Sequence, residues 1–267
     1  PMIQTRWLGT ASTIRFAIGA MGIRFLLSEQ TYGATGLLRA LGMGPDQLQP
    51  LYAVMLLGLV AGIGASALTF NQKTVIPQIL LSVVLIAIGS FLDWNATSLT
   101  RPHDMFLSQL LLSCGAGLFM GPLLLVGVMS ALKNGPNYIV SFAVLFGVSQ
   151  SIGGLAGPAA LGTFQQFRQH EYSAAINAGV DPTNGVVAQR LEMQGQVYGR
   201  VMTDPVLRQA QGVAQLAQIS TREAQVRAFN DVFLLTGLLA LLLLSWSLFH
   251  VIRLAVAAKN SPPAPSG

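Results

Sequence analysis

The sequence predicts an all-α integral membrane protein that crosses the bilayer six times. Three observations carry this. Only 9% of the 267 residues are charged, whereas a soluble domain carries about 25%, so there is too little charge to coat a globule of this size. Six segments are apolar over the ~20 residues that a crossing helix requires, and they hold Gly and Pro in the way membrane helices tolerate. The first five segments are joined by short links, which sets neighbours antiparallel.

In order, residues 1–14 are a lead-in expected on the cytoplasmic side, and the first span covers 15–40. The chain begins at Pro1 without Met or a signal pattern and is expected to be a piece of something longer. Further spans are placed at 49–70, 74–92, 105–130 and 137–164. "GMGPDQ" (42–47), "NQK" (71–73), "DWNATSLTRPHD" (93–104) and "LKNGP" (132–136) connect them. Residues 165–228 then form a polar excursion with amphipathic helices. In it, Asp181 before Pro182 and Asp204 before Pro205 read as helix starts, with Asp as cap and Pro in the first turn. After the second, Val206, Ala210, Val213, Ala214 and Ala217 recur at helical spacing. Ser220 with Glu223 three residues later reads as a capping box, where the last helix is expected to start before crossing at 229–254. The tail, 255–267, ends in "KNSPPAPSG" and is expected to be disordered.

The charges lie between the apolar segments and form no basic face with aromatics, which sets nucleic acid aside despite the net charge of +5. Alternating spans put Arg6, Lys73, Lys133, Arg253 and Lys259 at one end, free of Asp and Glu. The positive-inside rule makes that end cytoplasmic, with both ends of the chain there and the 165–228 excursion outside. A bacterial inner membrane suits the arrangement. Cys114, the single cysteine, is expected to be a small buried apolar residue.

Lipid gives helices no hydrophobic reason to associate, so small residues at close contacts must hold them. The stretch "GVSQSIGGLAGPAALGTF" (147–164) supplies such a face in Gly153 and Gly157, and Pro158 is expected to bend the helix. Gly117, Gly121 and Pro122 repeat the pattern in the fourth span.

Within 141–172, Gln150, Gly153, Gly154 and Gly157, followed by Leu161-Gly162-Thr163, Arg168 and His170, form a run that resembles the penultimate helix of the fourteen-spanner drug:proton antiporters of the major facilitator superfamily, the EmrB/QacA type. "LLRALGMGPDQLQPLYAV" and "REAQVRAFNDVFLLTG" are similar to the start of the family's second and last helices in this half. The likeness runs from about residue 15 to 252. It implies the six-helix C-terminal bundle of such a transporter, working with an N-terminal half around a midplane site. It further implies proton-driven export of amphipathic small molecules, with no cofactor and no enzymatic activity, and a possible HlyD-type periplasmic adaptor as partner. The Gly-Pro motif named for antiporters belongs to the other half, so Gly153, Gly157 and Pro158 would be its pseudo-symmetric counterpart, a packing and gating element.

Ionisable residues inside a span are costly and usually functional. In the first span Arg15 and Arg39 can snorkel to the two interfaces, whereas Arg24 and Glu29 have no such exit. Five residues apart, they point about 140° from each other around a helix and are expected to serve different contacts. Glu29 is read either as a proton carrier or counter-charge for a cationic substrate, or as a solvated residue of the outer interface. Arg24 is read as bracing a neighbouring helix or touching substrate. Gln30 and Tyr32 add polar groups at the same depth, and Asp231 is a further candidate at the mouth of the last span. His103, His170 and His250 lack partners at ligand spacing, so no metal is expected. No phosphate-binding glycine loop or hydrolytic motif occurs. A second reading makes the bundle an anchor whose outer part, 165–228, docks a periplasmic partner.

Overall fold

A computed structural model of the chain describes residues 5–71, 73–178, 189, 193 and 204–259. The elements are α1 (Thr5–Leu8), α2 (Ala11–Leu26), a π-helical stretch (Glu29–Ala34), α3 (Thr35–Ala40), α4 (Pro45–Leu68), α5 (Val75–Asp93), a 3-10 turn (Pro102–Met105), α6 (Phe106–Asn134), α7 (Tyr138–Ala178) and α8 (Pro205–Lys259). No strand occurs among the described residues. Six helical segments are long and apolar enough to cross a membrane: Ala11–Ala40, Pro45–Leu68, Val75–Asp93, Pro102–Asn134, Tyr138–Ile176 and Ala210–Arg253. The chain is thus a multi-pass helical membrane protein by length and composition. Large apolar side chains such as Leu56, Leu57, Leu155 and Leu242 line its outside, as a lipid-facing surface requires.

α6 lies between α4 and α5, α8 between α5 and α7, and α2 against α7 and α8. The tightest seam joins α4 to α6. A Cβ on Gly62 would overlap the Cys114 carbonyl, and one on Gly117 would overlap the carbonyl of Leu59. One on Gly121 would stand 2.8 Å from Ser66 Oγ. Gly58 joins Gly62 on the facing helix, with Ser113 Cβ 2.9 Å from its notional Cβ. Gly117 and Gly121 thus do what their spacing predicts, and Gly58 and Gly62 meet them from the other side. Gly153 and Gly157 lie against α2. A Cβ on Gly153 would stand 2.7 Å from the Met21 carbonyl and 2.9 Å from Arg24 Cβ, and one on Gly157 would overlap Ser28 Oγ. Pro50, Pro122 and Pro158 all sit inside helices.

The corner between the first two spans is a glycine-terminated helix end. Met43 N–H reaches the Leu38 carbonyl at 3.0 Å and Gly42 N–H that of Arg39 at 2.9 Å, the paired bonds of a Schellman motif. Leu38 and Met43 pack in the same buried cluster. Gly42 has φ +88°, a conformation that costs any residue with a Cβ. Gly42→Ala is expected to destabilise the protein by about 1 kcal/mol, read as a lowered melting temperature in detergent.

Two expectations about the last connection change. Asp204 does cap: its Oδ1 accepts from Val206 N–H at 2.9 Å. From there α8 runs unbroken for 55 residues, so Ser220 and Glu223 lie inside a helix and cap nothing. Glu223 instead meets Arg227 one turn on, at 3.7 Å. Likewise, α7 continues past 164 to Ala178. Asp181 and Pro182 fall outside the described residues, as does the tail from 260; residues 255–259, expected in that tail, continue α8.

Candidate functional site

The first span changes its winding at the residue that carries its buried charge. α2 ends at Leu26, and after Ser28 the chain turns as a π-helix over "EQTYGA" before α3 resumes. π-turns are rare and cluster at functional sites. This one swings Glu29 fully into the interior, 0% exposed. Gly33 leaves room for the ring of Phe233, whose Cε1 would be 2.9 Å from a Cβ there, with Glu29 Cγ at 3.6 Å.

Opposite Glu29 stand two residues that the sequence reading passed over. Asp93, assigned above to a connecting loop, is the last residue of α5 and is buried. Gln109, in the first turns of α6, is fully buried. The Gln109 side-chain nitrogen donates to Asp93 Oδ2 at 2.7 Å and lies 3.3 Å from both Glu29 oxygens. Gln109 Oε1 is buried with no hydrogen-bond partner. Gln30 ties the π-turn to the same helix, donating to Ser113 Oγ at 2.7 Å and to the Gln109 carbonyl at 3.3 Å. Three spans thus meet at one amide. No Lys, Arg or His among the described residues hydrogen-bonds to or pairs with either carboxylate.

Other expected site residues go elsewhere. Arg24 is exposed and its stem crosses Gly153, with Nε 3.3 Å from a notional Cβ on Gly154. It packs on α7 through these two glycines. Tyr32 donates to Gln165 Oε1 at 3.3 Å and packs beside Gly162 and Phe229, so it links the π-turn to α7 and α8 outside the carboxylate cluster. Asp231 joins α8 to α7: its Oδ2 accepts from Arg168 Nε at 2.5 Å and from Tyr172 Oη at 2.8 Å. Arg168 also pairs with Glu171 and lies over the Tyr172 ring at 4.8 Å. Asn230, next to Asp231, donates to the Ala96 carbonyl at 2.8 Å, and Arg222 to those of Leu41 and Ser98 at 3.1 and 3.4 Å. α8 thereby holds both loops at the cluster's end of the bundle. Gln150 keeps a buried side-chain nitrogen without a partner.

Gly157 touches Ser28, the residue just before Glu29. Gly117 and Gly121 belong to the α4–α6 seam, and Pro122 is buried on the same helix.

An apolar pocket of about 140 Å³ opens nearer the lysine-bearing end, lined among others by Arg15, Phe16, Phe119, Leu243 and Trp246. It is smaller than the ~300–1,000 Å³ of a drug-sized site. A buried cluster that includes Ile23, Ile86 and Leu112 occupies the core of the same helices.

No family model matches the chain, and neither a curated protein nor a solved structure matches it.

Proposed function

We propose that the chain is the C-terminal six-helix half of a proton-coupled secondary transporter that exports amphipathic small molecules from the cytoplasm across a bacterial inner membrane. The observation that carries this reading is the pair of buried carboxylates, Glu29 and Asp93, joined through Gln109 where three spans meet. Two acids withdrawn from water in a lipid-embedded bundle cost too much to be kept for anchorage. An exporter needs such groups, because a buried acid that is loaded from one side and emptied to the other couples a cation gradient to substrate movement. The glycine face of α7 against the π-turn offers a route from helix motion to that site. The small pocket at Arg15 and Trp246 suits part of a ligand, with the rest of the site contributed by an N-terminal half. Lys73 and Lys133, at the same end of the bundle by alternation of the spans, favour that end as cytoplasmic.

The test is accumulation of a fluorescent lipophilic cation in pump-deficient cells that express the full-length parent protein. The wild type is expected to lower accumulation, and both a protonophore and Glu29→Gln should abolish the effect. Unchanged export by Glu29→Gln would remove Glu29 from the mechanism.

One observation favours a second role for the same molecule. α7 has 41 residues and α8 has 55, about 60 and 80 Å at 1.5 Å per residue. That is far more than the ~30 Å hydrocarbon layer requires. The C-terminal end of α7 and the N-terminal end of α8 lie on the side away from Lys73 and Lys133 by alternation of the spans, and give an adaptor protein a place to dock. Such docking, tested by pull-down of an HlyD-type adaptor, should survive Glu29→Gln.

A further inference from the structure

The carboxylate pair has a charge problem that no side chain among the described residues solves. Glu29 is 0% and Asp93 4% exposed. The donor that holds them together is a neutral amide, and its two N–H bonds serve three carboxylate oxygens. The elements packed around the pair bring polar but uncharged groups: Gln109 from α6, and Gln30 from the π-turn, which is bonded to Ser113 of α6 and to the Gln109 carbonyl. α8 brings Phe233, while its Asp231 is turned toward Arg168 on α7. Two negative charges so placed repel each other strongly in a medium of low polarity. One positive charge between them removes most of that cost.

A second observation points to the same vacancy in the charge balance. Gln109 is 0% exposed, and its Oε1, on the very amide that bridges the acids, is buried without a donor. Buried carbonyl oxygens are rarely left so. An amide that turns over about its last torsion would present this oxygen to the carboxylates, where it could accept only from a proton or coordinate a small cation. Either orientation of an amide fits the same outline. The donor set would then be the two Glu29 oxygens, Asp93 Oδ2 and Gln109 Oε1, all hard oxygens that suit a proton or an alkali cation.

We infer that Glu29, Asp93 and Gln109 together form a site for one exchangeable monovalent cation, a proton or a sodium ion, in which Asp93 is as necessary as Glu29. The inference deepens the transport reading and rests on it for the use to which the cation is put. It assigns Asp93 and Gln109 to the coupling site and sets its capacity at a single charge. Loading joins the cation to a carboxylate oxygen, and unloading returns both acids to the amide nitrogen; no electrons move and no other bond is broken.

Dicyclohexylcarbodiimide tests this on the full-length protein in nanodiscs, because it modifies a carboxyl only when it is protonated in apolar surroundings. Adducts are counted by mass spectrometry over a pH series, in sodium chloride and in choline chloride at equal ionic strength. The expected result is one adduct per molecule, on Glu29 or Asp93 and never on both, with labelling of each changing about fivefold or more when the other is neutralised by Asp93→Asn or Glu29→Gln, as strongly interacting sites require. Protection by sodium identifies that ion as the occupant, and indifference to sodium identifies the proton. Adducts on both residues of one molecule, none at any pH, or labelling of Glu29 that ignores Asp93→Asn would overturn the site. The adduct count on wild-type protein decides even if the variants fail to fold. A protein that labels as expected yet exports nothing keeps the cation site and loses the export reading, and protonophore-sensitive export without labelling does the reverse.

Discussion

Gln109→Leu is expected to destabilise the bundle by about 3 kcal/mol or more, since removing one partner of a buried charged network leaves the others uncompensated. Leucine fits the volume, so packing is not the issue. What disappears is the amide nitrogen 2.7 Å from Asp93 and 3.3 Å from Glu29. The measurement is thermal unfolding in detergent beside the triple variant Glu29→Gln, Asp93→Asn, Gln109→Leu. There the acids are gone and neutral amides replace them, so most of the lost stability should return. A single variant within 0.5 kcal/mol of wild type would mean that Gln109 does not hold the carboxylates, a threshold set by the usual scatter of substitutions without structural consequence.

The other large effect is expected at Gly157. A Cβ there would fall on Ser28 Oγ and lie 3.1 Å from the Phe25 carbonyl, so Gly157→Leu cannot be absorbed by a side-chain adjustment alone and must push α7 off α2. Overpacking costs about 1–3 kcal/mol in a soluble core, and Leu at a backbone contact should reach the top of that range. The readout is loss of the monodisperse peak in fluorescence-detected gel filtration. Gly147, on the same helix, has nothing within 4 Å of its notional Cβ, so Gly147→Leu is the control and should fold as wild type does. Equal behaviour of the two variants would show that the α2–α7 seam is not what the glycines serve. Any Gly157 variant that folds should also disturb Glu29, because its contact Ser28 leads directly into the π-turn.

Much of the architecture was legible along the chain. Six apolar runs predicted six spans, because in lipid every backbone polar group must be satisfied inside its own helix and length alone then marks a crossing. The Gly153–Gly157 and Gly117–Gly121 faces were visible for the same reason: only small residues let helices approach without a hydrophobic drive. Asp204 announced the start of α8 through its local bond to Val206, a signal contained in neighbouring residues. The Ser220–Glu223 pattern failed because a capping box acts only where a helix begins, and here the helix had begun fifteen residues earlier.

The site was half legible. Glu29 stood out as an acid in the middle of an apolar run, and Arg24 was placed on another face by helical geometry alone. Asp93 looked like the start of a loop because it follows "VLIAIGSFL" and precedes "WNATS". The only hint for Gln109 was an uncharged amide inside the mostly apolar "MFLSQLLLSCG", a residue that membrane helices often carry for packing. Asp231 looked like an interfacial acid and proved to be the partner of Arg168, 63 positions away.

By itself, then, the sequence determined that this chain has six helices long and apolar enough to cross a membrane, with small-residue faces for packing and an acid within the first span, because hydropathy, length and helical angle are local properties of one segment. The tertiary structure alone decided that Glu29 has Asp93 for company, that Gln109 joins them, and that Gly157 presses on the turn that carries Glu29. Those facts depend on which of several helices lies beside which, at what height and in what rotation. Such choices are set by the sum of weak packing contacts across the bundle, and no single stretch of sequence contains that sum.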